Sequence, residues 1–217
     1  MRLAILGATG KSGQALVDQA LAAGHKVTAL ARTPAALPPR AGLVVVEGDA
    51  RDAAALGKAL HGCDAVISLL GNFNRKPNTD VSDATRRLCE VASAAGPKRI
   101  VVVTTIGVGD SFAPLKSRMF KLIIRFVAKE IWRDRERQEQ VVRDSGLDWT
   151  IIRPGGLTDI PATGLPATGR WTLIGGGAVQ PKKVSIARAD LAAALLAAAA
   201  DPALIGQTRC IFTEATV

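Results

Sequence analysis

Short apolar runs alternate with longer amphipathic stretches along most of the chain. The short runs are rich in β-branched residues, which predicts strands. They lie near Leu3–Leu6, Lys26–Ala31, Leu43–Glu47, Ala65–Leu70, Arg99–Thr104, Trp149–Arg153 and Cys210–Thr213. Because nearly every position in these runs is apolar, we expect strands that are buried on both faces, as in a parallel sheet.

The longer stretches predict helices over Lys11–Ala23, Asp52–Leu60, Asp80–Ala95, Lys116–Asp144 and Ala187–Ala200. Four of them are followed by a glycine in the place of a left-handed helix cap, namely Gly24, Gly62, Gly96 and Gly146. The alternation predicts an α/β fold with a doubly wound parallel sheet and right-handed crossovers. At 217 residues we expect a single domain, with small pocket elements in its carboxyl-terminal part.

Two turn-rich stretches, Gly71–Asn78 and Gly155–Gly177, follow the carboxyl ends of predicted strands. This edge of the sheet is where α/β folds bind ligands. Together with the region around Phe112–Phe120, we expect them to form the walls of one shallow pocket.

A glycine-rich turn joins the first predicted strand to the first helix. It consists of Gly7, Ala8, Thr9, Gly10, Lys11, Ser12 and Gly13. Gly7 allows the tight turn, Gly10 lets the backbone approach a phosphate, and Gly13 lets the helix pack close to the strand. A diphosphate fits there because unpaired N–H groups and the positive end of the helix dipole face it. The spacing is not that of a Walker loop, so it predicts a Rossmann-like NAD(P)-binding domain and disfavours ATP or GTP.

A cation stands at the end of the second predicted strand. An acidic residue at this place binds the ribose hydroxyls of NAD, whereas a cation accommodates the 2′-phosphate of NADP. Arg32 has no carboxylate next to it in the sequence, so we expect NADP(H) as the cofactor. The alternative is an ordinary surface arginine at a strand end.

The residue counts narrow the chemistry further. Tyrosine is absent, which excludes any mechanism with a tyrosine hydroxyl as the proton donor. The histidines (His25, His61) and cysteines (Cys63, Cys89, Cys210) show no metal-binding spacing, so we expect no metal site. The unpaired thiols and the lack of a long apolar run favour a cytoplasmic protein.

Six segments carry a resemblance to a known family: Gly7–Gly13, Arg32, Gly48-Asp49, Ser68–Gly71, Val102–Thr105 and Ser145–Gly155. Through them the chain resembles the atypical short-chain dehydrogenase/reductase superfamily over nearly its whole length. Within that superfamily it is similar to the NAD(P)H-binding group of flavin/biliverdin reductases and NmrA-like proteins.

The resemblance implies further contacts to the cofactor. It includes the glycine turn with Thr9, Lys11 and Ser12, and it includes Arg32. It adds Asp49 and Ala50 at the adenine, and Leu69, Leu70 and Gly71 at the diphosphate and ribose. It also adds Thr104, and Pro154 at the nicotinamide. By residue type alone, Asp49 is equally a turn or helix-capping carboxylate, and Pro154 equally belongs to the turn that ends a strand.

The Tyr-x-x-x-Lys pair of typical family members would fall on Ile131 and Arg135. Isoleucine cannot donate a proton and arginine is always protonated, although Arg135 can fix a cofactor ribose or an anionic substrate. The pocket histidines of the flavin/biliverdin reductases are also unmatched, because Arg135 and Gly156 stand in their places. Thr105 aligns with the serine or threonine that faces the nicotinamide, so Thr105 and Arg135 are the catalytic candidates. By residue type alone, Thr105 is equally a strand-favouring residue.

Two functions remain open at this point. The favoured one is an NADPH-dependent oxidoreductase that transfers hydride to a conjugated small molecule such as a flavin, a quinone or a linear tetrapyrrole. Such a transfer needs mainly stacking on the nicotinamide, with the proton supplied by solvent. The alternative is a non-catalytic, NmrA-like sensor that binds NADP(H) and presents a surface to a partner.

Positive charge is concentrated in one predicted helix. Residues from Lys116 to Arg137 carry eight cations and three acids, which is five of the chain's nine net positive charges. The favoured interpretation is a surface helix that packs its apolar face on the sheet. The other is a lid or an anionic-membrane contact within Phe112–Arg137, with Phe120 and Trp132 in the interface. Nucleic acid is not expected, since stacking aromatics are few; the sequence leaves the oligomeric state open.

Overall fold

The computed structural model describes residues 1–72, 76–113, 115, 117–163 and 185–212. The strands are β1 (Arg2–Leu6), β2 (Lys26–Ala31), β3 (Leu43–Glu47), β4 (Ala65–Ser68), β5 (Arg99–Val103), β6 (Asp148–Pro154), β7 (Gly156–Thr158), β8 (Ser185–Ala187) and β9 (Gln207–Ile211). The α-helices are α1 (Lys11–Ala22), α2 (Ala53–Leu60), α3 (Asp80–Ala95), α4 (Arg118–Leu122), α5 (Lys129–Arg143) and α6 (Arg188–Ala200). A π-helical turn, Ile123–Val127, joins α4 to α5.

Seven strands form one parallel sheet in the order β3-β2-β1-β4-β5-β6-β9. Their carboxyl ends therefore meet at one edge. The order changes direction between β1 and β4, which is the place where sheets of this kind bind ligands. The predicted doubly wound parallel sheet is confirmed. The three-residue strands β7 and β8 pair only with each other and are too short to show a periodicity.

Apolar layers cover both faces of the sheet. One contains Leu16 of α1 and Leu191 of α6, and the other contains side chains of α2, α3 and α5. Successive β1 residues alternate between them, because neighbouring side chains of a strand point to opposite faces. The expectation of burial on both faces is wrong for β3, an edge strand, where Val44 is 60% exposed.

Most predicted bounds lie within two residues of the observed ones, but the single long helix predicted over Lys116–Asp144 is wrong. It is divided into α4, the π-helical turn and α5. The part before α5 packs on a small cluster with Ile106 and Leu115, whereas α5 packs against α3. One straight helix would not make both contacts. Its predicted apolar face is only partly buried, and Phe120 and Trp132 face inward rather than toward an interface.

Three of the four predicted glycine caps are left-handed, with φ of 78° at Gly24, 65° at Gly62 and 69° at Gly146. Gly96 ends α3 with φ −104°, so the prediction is wrong there. A Cβ at Gly96 would lie 2.8 Å from Cα of Ala92, and it is this close approach that requires glycine. No helix in the described part of the chain is long and apolar enough to cross a membrane.

Candidate functional site

The glycine turn lies where the sheet order changes direction, pressed against the end of β4. Gly7 has φ +80°, and a Cβ there would lie 2.7 Å from the carbonyl oxygen of Leu69. A Cβ at Gly13 would lie 2.1 Å from the carbonyl oxygen of Gly7. The turn therefore holds the first residues of α1 in a fixed position beside β4.

The amino end of α1 has room for an anion. Gly10 is its N-cap residue, and no side chain accepts a hydrogen bond there. Among the described residues, a Cβ at Gly10 would meet only the carbonyl oxygen of Gly7, at 3.6 Å, so these residues leave the place open. The uncapped N–H groups and the dipole of α1 suit a diphosphate. The contacts of Thr9, Lys11 and Ser12 with a cofactor remain predictions.

Exposed arginines lie at the end of β2 and in the turn after β3. Arg32 is exposed and forms no ion pair with any residue that the structure describes. The carboxylate of Asp49 accepts hydrogen bonds from the backbone N–H and Nε of Arg51, both at 2.9 Å. These bonds, with a smaller effect of Arg32, lower the pKa of Asp49. Asp49 thus acts as a turn carboxylate; its contact with adenine, like that of half-buried Ala50, remains a prediction.

Sequence reasoning missed Arg51, although it stands only two residues after Asp49. Arg51 brings a second cation to this end of the site, and its ion pair with Asp49 balances that charge. The signal was present in the sequence, since a cation within a strand-end turn is the same feature that singled out Arg32.

Arg135 is brought to the segment that follows β4. Its guanidinium donates to the carbonyl oxygen of Leu70 at 2.9 Å and to Oε1 of Gln138 at 2.8 Å. Protein atoms surround the group, and this desolvation lowers the pKa of Arg135 to about 10. The side chain stays charged at neutral pH and forms no ion pair within the described residues, beside exposed Gly71 and half-buried Leu69.

The two threonines after β5 differ in what their hydroxyls contact. Thr104 is buried, and its hydroxyl donates to Oε1 of Glu139 at 2.8 Å. Within the described part of the chain, the hydroxyl of Thr105 has only a long contact of 3.4 Å with the carbonyl oxygen of Ile106. Of the two hydroxyls, that of Thr105 is therefore the one available to a ligand. A cofactor contact by Thr104 remains a prediction.

A buried ionic network under the site was missed by sequence reasoning. Both carboxylate oxygens of Glu139 accept from Arg153, at 2.8 and 2.7 Å, and one also accepts from Arg143 at 2.7 Å. Arg153 donates in addition to Asp110. Burial alone would lower the pKa of Arg153, but the bonds to Glu139 and Asp110 raise it. The only signal in the sequence was a cation within the apolar run of β6.

The loop after β7 reaches back to the glycine turn. Asp159 accepts from Nζ of Lys11 at 3.0 Å and from Arg188 at 2.5 Å, and chiefly the bond to Lys11 lowers the pKa of Asp159. Asp159 therefore competes for the lysine that is predicted to contact a diphosphate.

Pro154 is buried, and its carbonyl oxygen accepts a hydrogen bond from the N–H of Ile106 at 3.1 Å. The contact of Pro154 with nicotinamide remains a prediction. Residues 73–75, 114, 116 and 164–177 of the predicted pocket walls lie outside the described residues.

A sequence model of a family described as NAD(P)H-binding matches residues 7–202. The chain is 36% identical over 151 residues to a (4-alkanoyl-5-oxo-2,5-dihydrofuran-3-yl)methyl phosphate reductase of Streptomyces griseus subsp. griseus. That match covers 69% of this chain but 46% of the relative, so the chain spans less than half of that protein. A sugar epimerase of Bacillus subtilis, YhfK, described as uncharacterized, is 30% identical over 176 residues, 76% of each chain.

Solved structures share the fold over the whole chain. ChuY of Escherichia coli O157:H7, described as an anaerobilin reductase, superposes with a TM-score of 0.80 at 29% identity and full coverage of both chains. A short-chain dehydrogenase/reductase of Veillonella parvula in complex with NADP gives a TM-score of 0.77 at 19% identity, over 98% of this chain and 94% of the other. At that identity the second likeness concerns the fold alone.

Proposed function

The chain belongs to the NAD(P)H-binding family of atypical short-chain dehydrogenases/reductases, and we propose that it is an NADPH-dependent oxidoreductase that reduces a conjugated small molecule. The observation that carries the proposal is the pairing of two features at one sheet edge. The open amino end of α1 behind the glycine turn suits a diphosphate. Arg32, which forms an ion pair with none of the described residues, suits a 2′-phosphate.

The lack of the family's catalytic tyrosine supports one class of acceptor. Bound NADPH would supply the hydride. Ile131 stands where typical members carry the catalytic tyrosine, and the chain contains no tyrosine at all. An isolated ketone would lack its general acid, whereas a flat conjugated acceptor spreads the incoming charge and takes its proton from solvent. Flavins, quinones and linear tetrapyrroles have this character.

Thr105 and Arg135 have distinct roles in this proposal. The available hydroxyl of Thr105 donates to the acceptor or to the carboxamide of the cofactor. Arg135 keeps a charge beside Leu70 that pairs with no acid among the described residues, and it binds the cofactor ribose or an anionic group of the acceptor. The likeness to the Streptomyces reductase, whose named substrate combines an unsaturated oxo ring with a phosphate, supports an anionic acceptor.

The test follows NADPH consumption with a panel of flavins, quinones and linear tetrapyrroles, after NADPH binding has been measured by titration. Turnover above background with at least one acceptor, reduced in the Thr105→Val and Arg135→Gln variants, is expected. Saturable NADPH binding without turnover for any acceptor would overturn the reductase and favour the NmrA-like sensor. The sensor would then bind its partner in a manner that depends on the ratio of NADPH to NADP⁺.

A further inference from the structure

Five large apolar side chains point to solvent within nine consecutive residues: Met119, Leu122, Ile123, Phe126 and Val127. Met119 and Phe126 are each 72% exposed. Single apolar residues are common on protein surfaces, but a group of neighbours marks an interaction site. We refer to residues 117–129 as the exposed segment.

The inner face of the exposed segment is already occupied. Ile124 is buried in the cluster with Ile106, and Phe120 packs edge-to-face on Trp132 with ring centroids 6.0 Å apart. The indole N–H of Trp132 donates to the carbonyl oxygen of Ile106 at 3.2 Å. Rolling the segment inward would break these contacts, so the outer apolar face stays exposed in the folded chain.

The π-helical turn determines which side chains face outward. The N–H of Ala128 donates to the carbonyl oxygen of Ile123 at 2.9 Å, five residues back instead of four. In a regular α-helix, Ile123, Ile124 and Val127 would share one face. With the wider turn, Ile124 is buried while Ile123 and Val127 are 41% and 46% exposed.

Cations surround this apolar face, and no acid stands within residues 117–129. Its four cations, which form no ion pair with described residues, are Arg118, Lys121, Arg125 and Lys129. Lys121 donates to the carbonyl oxygen of Ala113 instead. Three other cations of α5, by contrast, have acidic partners, in the pairs Arg133–Glu130, Arg137–Asp134 and Arg143–Glu139. The unneutralised charge of this region is therefore concentrated around the apolar face.

We propose that the exposed segment docks on a bilayer surface that contains anionic lipid. Side chains such as Phe126 and Met119 enter the boundary of the acyl chains, while the cations meet head-group phosphates. A second copy of the chain fits less well, because an isologous contact would set the same four cations against each other. Nucleic acid offers phosphates but nothing that covers the aliphatic side chains.

The test is co-sedimentation of the folded chain with vesicles of phosphatidylcholine alone or mixed with phosphatidylglycerol. Binding to the mixed vesicles that weakens with added salt is expected. Arg118→Gln combined with Arg125→Gln is expected to weaken it about thirtyfold, at the usual strength of two cations near an anionic surface. Met119→Ser combined with Phe126→Ser is expected to abolish stable binding.

Matched variants serve as controls. Val44→Ser replaces an apolar residue of β3 that is 60% exposed, and Lys58→Gln with Arg86→Gln removes two exposed cations elsewhere. Both are expected to bind like the unchanged chain, and circular dichroism checks that every variant is folded. Failure to bind the mixed vesicles, equal binding to phosphatidylcholine alone, or equal losses in the controls would overturn the proposal. If the unchanged chain forms a dimer but does not bind vesicles, and Met119→Ser with Phe126→Ser removes the dimer, the apolar face would be assigned to a second copy of the chain. None of these outcomes depends on the proposed reductase activity.

Discussion

Arg32 and Arg135 carry the same charge in different surroundings, which gives them different uses. Arg32 is exposed at the end of β2, and its guanidinium is accessible from solvent. Arg135 is fixed by Leu70 and Gln138, and its desolvated charge acts on whatever lies next to the end of β4. In the proposed function, Arg32 is the residue that affects the choice of cofactor, and Arg135 is the one that binds the ribose or the acceptor.

Arg32→Ala is expected to weaken NADPH binding by about 1.5–3 kcal/mol, the strength of a hydrogen bond to a charged group. NADH lacks the 2′-phosphate, so its binding should be nearly unchanged. Fluorescence titration with both cofactors measures the difference, with Arg86→Ala as an exposed-arginine control. Equal losses for NADPH and NADH would mean that Arg32 does not contact the 2′-phosphate.

The buried thiol of Cys89 makes stability depend on alkaline pH. Burial raises the pKa of Cys89 to about 11, whereas an exposed thiol has a pKa of about 8.5. Above pH ~9 the unfolded chain loses a proton that the folded chain keeps, so the free energy of unfolding falls as pH rises toward about 11. We expect a loss of about 1–2 kcal/mol between about pH 8 and about pH 10.

Urea unfolding of the unchanged chain and of Cys89→Ala at both pH values measures this contribution. The variant should lose less stability between the two pH values, whatever its stability at pH ~8. Cys63→Ala is the comparison variant: burial also raises the pKa of half-buried Cys63, but less than that of Cys89, so this variant should remove less of the pH dependence. Identical pH dependence in the unchanged chain and in Cys89→Ala would contradict the expectation.

At the scale of elements, two helical glycines show how packing decides what a residue does. Gly13 lies in the first turn of α1 against the glycine turn, where a Cβ would clash with the carbonyl oxygen of Gly7. Gly57 lies in α2, and a Cβ there would have nothing within 4 Å. Both glycines lie within a helix, but only at Gly13 do the neighbouring atoms leave no room for a side chain.

Gly13→Ala is expected to lower the free energy of unfolding by about 1–3 kcal/mol, as overpacking does, and to weaken NADPH binding. Gly57→Ala is expected to raise it by about 0.5–1 kcal/mol, because alanine loses less backbone entropy in a helix. Urea unfolding measures both, and cofactor titration measures the first. A neutral Gly13→Ala would show that the turn adapts without cost.

At the scale of the whole molecule, the Glu139 network ties the candidate site to the fold. It joins α5, the end of β5 through Thr104 and the end of β6 through Arg153. Glu139 occupies the hydroxyl of Thr104 and leaves that of Thr105 available. The same side chain therefore also holds the ends of β5 and β6 together. Because the network is buried, its charges depend on each other.

Glu139→Gln is expected to destabilise the protein by about 3–5 kcal/mol, because Arg153 then stays buried with only Asp110 as a charged partner. Glu130→Gln removes a more exposed partner, that of Arg133, and should change stability by about 0–1 kcal/mol. Urea unfolding of both variants at neutral pH compares them. A small effect of Glu139→Gln would mean that water or a rearranged Asp110 replaces the lost charge.

The sequence by itself determined the parallel α/β sheet, most element bounds, the glycine turn and the placement of Arg32 at a strand end. These features depend on periodicity and turn chemistry within a few neighbouring residues, and such local preferences are visible in the chain. The same locality explains the wrong long helix, because the period continues through Ile123–Val127 while the packing beneath it changes.

Only the tertiary structure decided which side chains meet. Lys11 and Asp159 are 148 residues apart, and Thr104 reaches Glu139 across 35 residues. No local pattern encodes such pairs, because they depend on which strand ends the sheet order brings together. The exposure of Met119 and Phe126 is also decided by tertiary structure. These side chains face outward because the opposite face of their segment packs on the cluster that contains Ile124.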